Sequence, residues 1–482
     1  MTLHAMINPD LPFEKPGGYV VAGGLVYFLG IDWVQGGHRL CVTDGTIQNT
    51  EALVNVVAAM PFEMVEANDH VFFVADTEDY GYQLWVSDGT QGGTAPVTKL
   101  GDPAHGAQIQ HMASWNGEIY FEANDDSEPQ LYRTEHLGGG KYAIVRLTDE
   151  ASGFNVTELV PGATRLLVSR LQHVDAFKHE YGLYTTNGTQ VKHLGDHMFS
   201  ADENVAFLAH TGELDGWTYF EGGDPLSPTG KTQLWRTDGE TTKCLADDIP
   251  VPTGTGLKGF SPLGDWMYFI VGETDLWRSD GTEANTVHHA DLFDTYEPGA
   301  SHADAVAADG RGFIVARGPA ATGLKFRVYT VAPNGSGTLV REFAADDWSL
   351  RRLEPFGDGA VFQFDDFVAY ETTLWVSDGT PRGTRPHHTS DNPNENLVNW
   401  AAIGDTIYFD EDSPVDQTVT LWVSDGTKPK SITDTGDRTA SATFELLDEE
   451  GDMAVTVRDG EVPAAFSTTA EFTTSSAAQT VE

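Results

Sequence analysis

Leu84–Thr90 reads LWVSDGT, and the phrase returns unchanged at Leu374–Thr380 and Leu421–Thr427. Close variants stand at Leu276–Thr282 (LWRSDGT), Leu40–Thr46 (LCVTDGT), Leu234–Glu240 (LWRTDGE) and Leu183–Thr189 (LYTTNGT). Fainter echoes occur at Leu131 (LYRTEH) and Val328 (VYTVAPNGSGT), and successive copies start 42 to 52 residues apart. A period in the forties, built from short strands and turn residues, marks the blades of a propeller.

Working outward from the phrase, each unit divides into four strands. In the second unit these are expected at Phe62–Ala67, His70–Ala75, Tyr82–Val86 and Ala95–Leu100. The second strand has its own signature, seen as LVYF at Leu25, EIYF at Glu118, WTYF at Trp217, WMYF at Trp266, GFIV at Gly312, AVFQF at Ala360 and TIYF at Thr406. It follows a two-residue turn such as Asn116-Gly117, Asp215-Gly216 or Gly404-Asp405, the residue types that tight hairpins require. The fourth unit matches least well, with its second strand expected at Arg165–Val168.

The phrase resembles the repeat of the ELWxxDGT family, propeller-like proteins of bacteria and archaea. The resemblance covers nearly the whole chain and implies the fold, while propellers host many unrelated functions and it implies little about activity.

The sequence thus describes an all-β protein, a β-propeller of about eight to ten four-stranded blades. Nine repeats are clear over residues 1–466, and a degenerate tenth follows around Gly451-Asp452 without the DGT turn; residues 467–482 form a last strand or a flexible tail. The alternative is two five-bladed propellers joined near Asp247–Gly256.

Charge sets the second boundary. Asp plus Glu number 73 against 28 Lys plus Arg, a formal net charge of −45, and only 11 of the 28 are lysine. Self-repulsion on that scale is screened once molar salt shortens the Debye length to about 3 Å. The composition therefore resembles that of extreme halophiles, the alternative being an ordinary acidic secreted protein. Nucleic acid is excluded as a partner, because phosphate binding needs a basic surface. No stretch of about 18 apolar residues is present, so membrane insertion is not expected. The N-terminus lacks the pattern of a signal peptide. The expected location is a virion or the extracellular cell surface, with the cytoplasm as the alternative.

Within the phrase, Asp44, Asp88, Asp238, Asp280, Asp378 and Asp425 are expected to accept backbone N–H groups in Asx turns, with the following glycine at positive φ. Cys41 replaces the usual Trp and reads as a core residue. Antiparallel topology puts every DGT turn on one rim. The opposite rim receives the loops after the second strands, and these are acidic: Asp76 and Asp79, Glu122, Asp125 and Asp126, Glu221, Glu273 and Asp275, Asp365 and Asp366, Asp410 and Asp412. Such a ring of carboxylates suits Ca2+ or Mg2+, or a cationic partner, against the plainer reading of a solvated surface. The pairs His288-His289 and His387-His388 are candidates for metal ligation or base catalysis.

No HExxH, GxSxG, P-loop or helix-opening GxGxxG motif occurs. The expected function is accordingly a non-enzymatic binding or assembly module, a virion decoration or attachment protein or a cell-surface adhesion factor, with a protein or glycan partner and homo-oligomers as candidates. A polysaccharide lyase or glycoside hydrolase with its site at the propeller mouth is the alternative.

Overall fold

The computed structural model describes residues 19–31, 38–44, 51–53, 64–77, 81–101, 106–124, 128–175, 178–196, 208, 210–223, 232–252, 255–292, 302–320, 323–344, 348–366, 371–390, 396–413, 418–426, 430–431, 441–446, 453–458, 470–473 and 478–481. Nine four-stranded antiparallel sheets follow one another in chain order, each made of four consecutive strands, and they form a single ring, a nine-bladed β-propeller. Residues 441–446 and 453–458 pair as one two-stranded sheet, and 470–473 and 478–481 as another. Among the described residues the one helical element is a short 3-10 turn, Glu283–Asn285, and no helix is long and apolar enough to cross a membrane.

Local chemistry explains each blade. The turn from first to second strand in blade 2 is Asn68-Asp69, with φ of 54° and 61°, closed by the pair Ala67 and His70. Two positive φ values in succession define the type I′ hairpin, whose twist matches that of the strands it joins. Asn116-Gly117 and Asp215-Gly216 repeat it.

Register then brings the two sequence signatures together. The second-strand Phe lies directly opposite the third-strand Trp: Phe73 pairs with Trp85, Phe269 with Trp277, Phe362 with Trp375 and Phe409 with Trp422. Their rings lie 5.9 to 6.4 Å apart with interplanar angles of 4° to 39°. A cross-strand aromatic pair of this kind adds about 0.5–1.5 kcal/mol beyond its burial. In blade 1 the partner of Phe28 is Cys41, 1% exposed, which packs with Ala401 of blade 9.

That contact belongs to the seam that closes the ring. Tyr19, Val26, Phe28 and Cys41 of blade 1 bury against Ala401, Ile403, Tyr408 and Val423 of blade 9. Elsewhere the core is likewise divided into clusters lying between adjacent blades, so each sheet is covered on both faces.

Candidate functional site

The DGT turns contact the preceding blade. Asp88 Oδ1 accepts the Thr90 amide and hydroxyl at 2.9 and 2.7 Å, and Asp280 and Asp378 hold Thr282 and Thr380 in the same way. Asp238 accepts the amides of Glu240 and Thr241. Asp44 and Asp425 stand at the same place in the turns of blades 1 and 9. A Cβ on the following glycine would meet the second-strand Tyr hydroxyl of the blade before: Tyr27 at Gly89, Tyr120 at Gly188, Tyr219 at Gly281 and Tyr268 at Gly335. Arg133 Nε adds a hydrogen bond to the Gly188 carbonyl at 2.7 Å. Burial, with Asp88 nearby, pushes the Tyr27 hydroxyl up to about 12. Burial, with Asp44 of blade 1 nearby, raises the Tyr408 hydroxyl of blade 9.

The acidic rim is only partly drawn together. Asp79, Asp125 and Asp126 lie outside the described residues, and Asp76, Asp410 and Asp412 are placed only as members of the strands His70–Thr77 and Thr406–Ser413. Asp365 takes an ion pair from Arg351 at 2.5 Å and hydrogen bonds from Gln363 and Thr372, and Asp366 follows it at the strand end. Three other acids of these loops turn inward. Glu122 accepts the N–H of Val156, Glu221 that of Leu257 and Glu273 that of Ala303, in each case at the first strand of the next blade. Burial pushes Glu122 up to about 7. Glu273 also pairs with Lys258 at 2.7 Å, and beside them burial lifts Asp304 to about 6 against the pull of Lys258.

One convergent set of metal-type donors stands out among the described residues: Asp275, His288 and Asp291, whose ligand atoms lie within 4.8 Å of one another. His288 Nε2 is 2.9 Å from Asp291 Oδ1 and 3.6 Å from Asp275 Oδ1. Burial, reinforced by Asp291, raises the Asp275 carboxyl above its ordinary value. All three belong to blade 6, on its third strand Asp275–Ser279 and its fourth strand Val287–Asp291.

A β-bulge assembles them. Asp275 pairs with Asp291 and Leu276 with Ala290, but Trp277 pairs with His288, which leaves His289 as the extra residue. Directly opposed residues share a face of the sheet, so the bulge moves His288 onto the face of Asp275 and Asp291. His289 points the other way and meets the Gly335 carbonyl of blade 7 at 2.7 Å. The same bulge recurs in blades 4, 5, 7 and 8, where the extra residues are Leu194, Leu245, Val340 and His387. The two histidine pairs are therefore one position out of step: His387 corresponds to His289, and Pro386 to His288. Neither ring nitrogen of His387 has a hydrogen-bond partner among the described residues. Sequence reasoning had named Asp275 and His288 separately and passed over Asp291, because only the bulge joins them.

No family model matches the chain, and no curated protein does. Solved structures match its fold at low identity. A structure from a study of two prolyl endopeptidases aligns at 12% identity with a TM-score of 0.41, covering 72% of this chain and 54% of that one. A post-proline cleaving enzyme from Rickettsia typhi aligns at 9% identity and 0.41, covering 84% and 58%. AztD from Citrobacter koseri aligns at 14% and 0.39, covering 82% of this chain and 99% of that one. The chain spans just over half the length of the two peptidases. The expectation of a non-enzymatic binding or assembly module, with its virion and adhesion forms and its carbohydrate-active alternative, is corrected by these matches. Likeness at this level concerns the fold and assigns no reaction.

Proposed function

We propose that this propeller is a cation-binding ring, whose blade 6 holds one divalent ion of the first transition series through Asp275, His288 and Asp291. The observation behind the reading is the convergence of the three donor atoms within 4.8 Å on one face of one blade. Ligand bonds of about 2.1 Å let an ion join donors up to about 4.2 Å apart, so the 2.9 and 3.6 Å separations at His288 already fit and the set closes by small side-chain rotations. An imidazole with two carboxylates favours Mn2+, Fe2+, Co2+ or Zn2+ over Ca2+ and Mg2+, which take oxygen donors throughout. The competing account is a metal-free cluster in which the His288 ring alone bridges the two acids.

Calorimetric titration of the chelator-treated chain with Co2+ and Mn2+ separates the two. It is run near 1 M KCl, where a Debye length of about 3 Å suppresses loose condensation on a surface of net charge −45. One ion per chain is expected, lost in His288→Ala and in Asp275→Asn with Asp291→Asn, and retained in His289→Gln. Binding unchanged in His288→Ala and in Asp275→Asn with Asp291→Asn refutes the reading.

A further inference from the structure

Resting on that cation site, we propose that the ion at blade 6 keeps an open coordination face and takes up a small oxyanion, a phosphate or carboxylate group, from solution. The donors come from the end of one two-stranded ladder and lie on one face of it, so they occupy one side of the ion. First-row divalent ions take about four to six ligands, which leaves about one to three positions to be filled from outside the set. Solvent reaches that side: the side chains of Asp275, His288 and Asp291 are 34, 44 and 67% exposed. Closed structural sites, by contrast, surround the ion with protein donors.

Charge and shape define the ligand. Two carboxylates cancel the charge of a dication, so the loaded site is locally neutral and does not repel an incoming anion. Away from the ion, a surface of net charge −45 does repel anions, which makes the metal the point of capture. Trp277 stands edge-on to His288, ring centroids 6.1 Å apart at 83°, and bounds the site on the sheet side. A small oxygen ligand that binds the ion directly suits this setting better than a bulky apolar one.

The test uses the full chain loaded with one equivalent of Mn2+ in 1 M KCl. Water-proton relaxation reports the exchangeable waters, and electron paramagnetic resonance reports whether the ion stays bound. Inorganic phosphate and oxalate are titrated separately, so that the two arms distinguish phosphate from carboxylate recognition. Either anion should lower the relaxation enhancement by about 1.5- to threefold, as one or two of about three waters leave, while the ion stays bound. His288→Ala and the exposed-site variant Asp291→Asn should show neither binding nor the anion effect. Mn2+ bound at one per chain with an enhancement indifferent to both anions overturns this inference and leaves the cation site standing. Failure of Mn2+ to bind removes both.

Discussion

Gly188→Ala tests whether the DGT glycines hold neighbouring blades together. Gly188 has φ of +87°, and a methyl group there would lie 2.7 Å from the Tyr120 hydroxyl of the preceding blade. Gly216 has a similar φ, +76°, with no heavy atom within 4 Å of the same point. Left-handed backbone costs an L-residue about 1–2 kcal/mol, and that cost falls on both variants. Overpacking adds about 1–3 kcal/mol to Gly188→Ala alone, for a total of about 2–5 kcal/mol. Adding Tyr120→Phe should return most of the overpacking share, because the next contact, Arg133 Nε, is at 4.0 Å. Urea unfolding at fixed salt, read by tryptophan fluorescence on the single and double variants, yields the coupling energy. Equal losses in Gly188→Ala and Gly216→Ala, or a coupling below about 0.5 kcal/mol, would refute the blade-to-blade contact.

Glu122 has a folded-state value of about 7 against an ordinary 4.5, so the folded chain holds this proton more tightly than the unfolded one. Its contribution to stability is full below pH 4.5 and is lost as pH rises through 7, by up to about 3 kcal/mol. Glu122→Gln keeps an acceptor for Val156 and should flatten that part of the stability curve, making the variant more stable than the parent at pH 8. His387 is held down to about 4 by burial, with Arg385 and His388 adding to it, so stability is lost as pH falls from 6.5 towards 4. His387→Leu supplies the kind of apolar residue found at the bulges of blades 4, 5 and 7 and should shift acid unfolding to lower pH; an unchanged acid transition counts against this. Asp378 lies below its ordinary value chiefly through the Thr380 hydroxyl, and Asp378→Ala should cost about 1 kcal/mol in thermal unfolding at pH 7. A wild-type melting curve for that variant contradicts the turn's role.

Much of the blade was legible in the sequence because it is local. Asn68-Asp69 and the DGT turns work through hydrogen bonds and φ angles within four residues, and Met64 opposite Phe73 follows from counting back from the two-residue turn Asn68-Asp69. The acids of the opposite rim were legible only as charge. Glu122, Glu221 and Glu273 look in sequence like any solvated loop residue, yet each reaches the backbone of the next blade.

The sequence by itself determined the repeat, the four-strand unit and the turn chemistry, since all of these depend on contacts within one unit. The tertiary structure decided that the ring closes at nine, where Tyr19, Val26 and Phe28 of blade 1 pack against Ala401 and Tyr408 of blade 9, because closure depends on small rotations summed over every interface. It also decided that Asp275, His288 and Asp291 share a face. A shift of one residue in pairing reverses a side chain's direction, and composition does not record that shift.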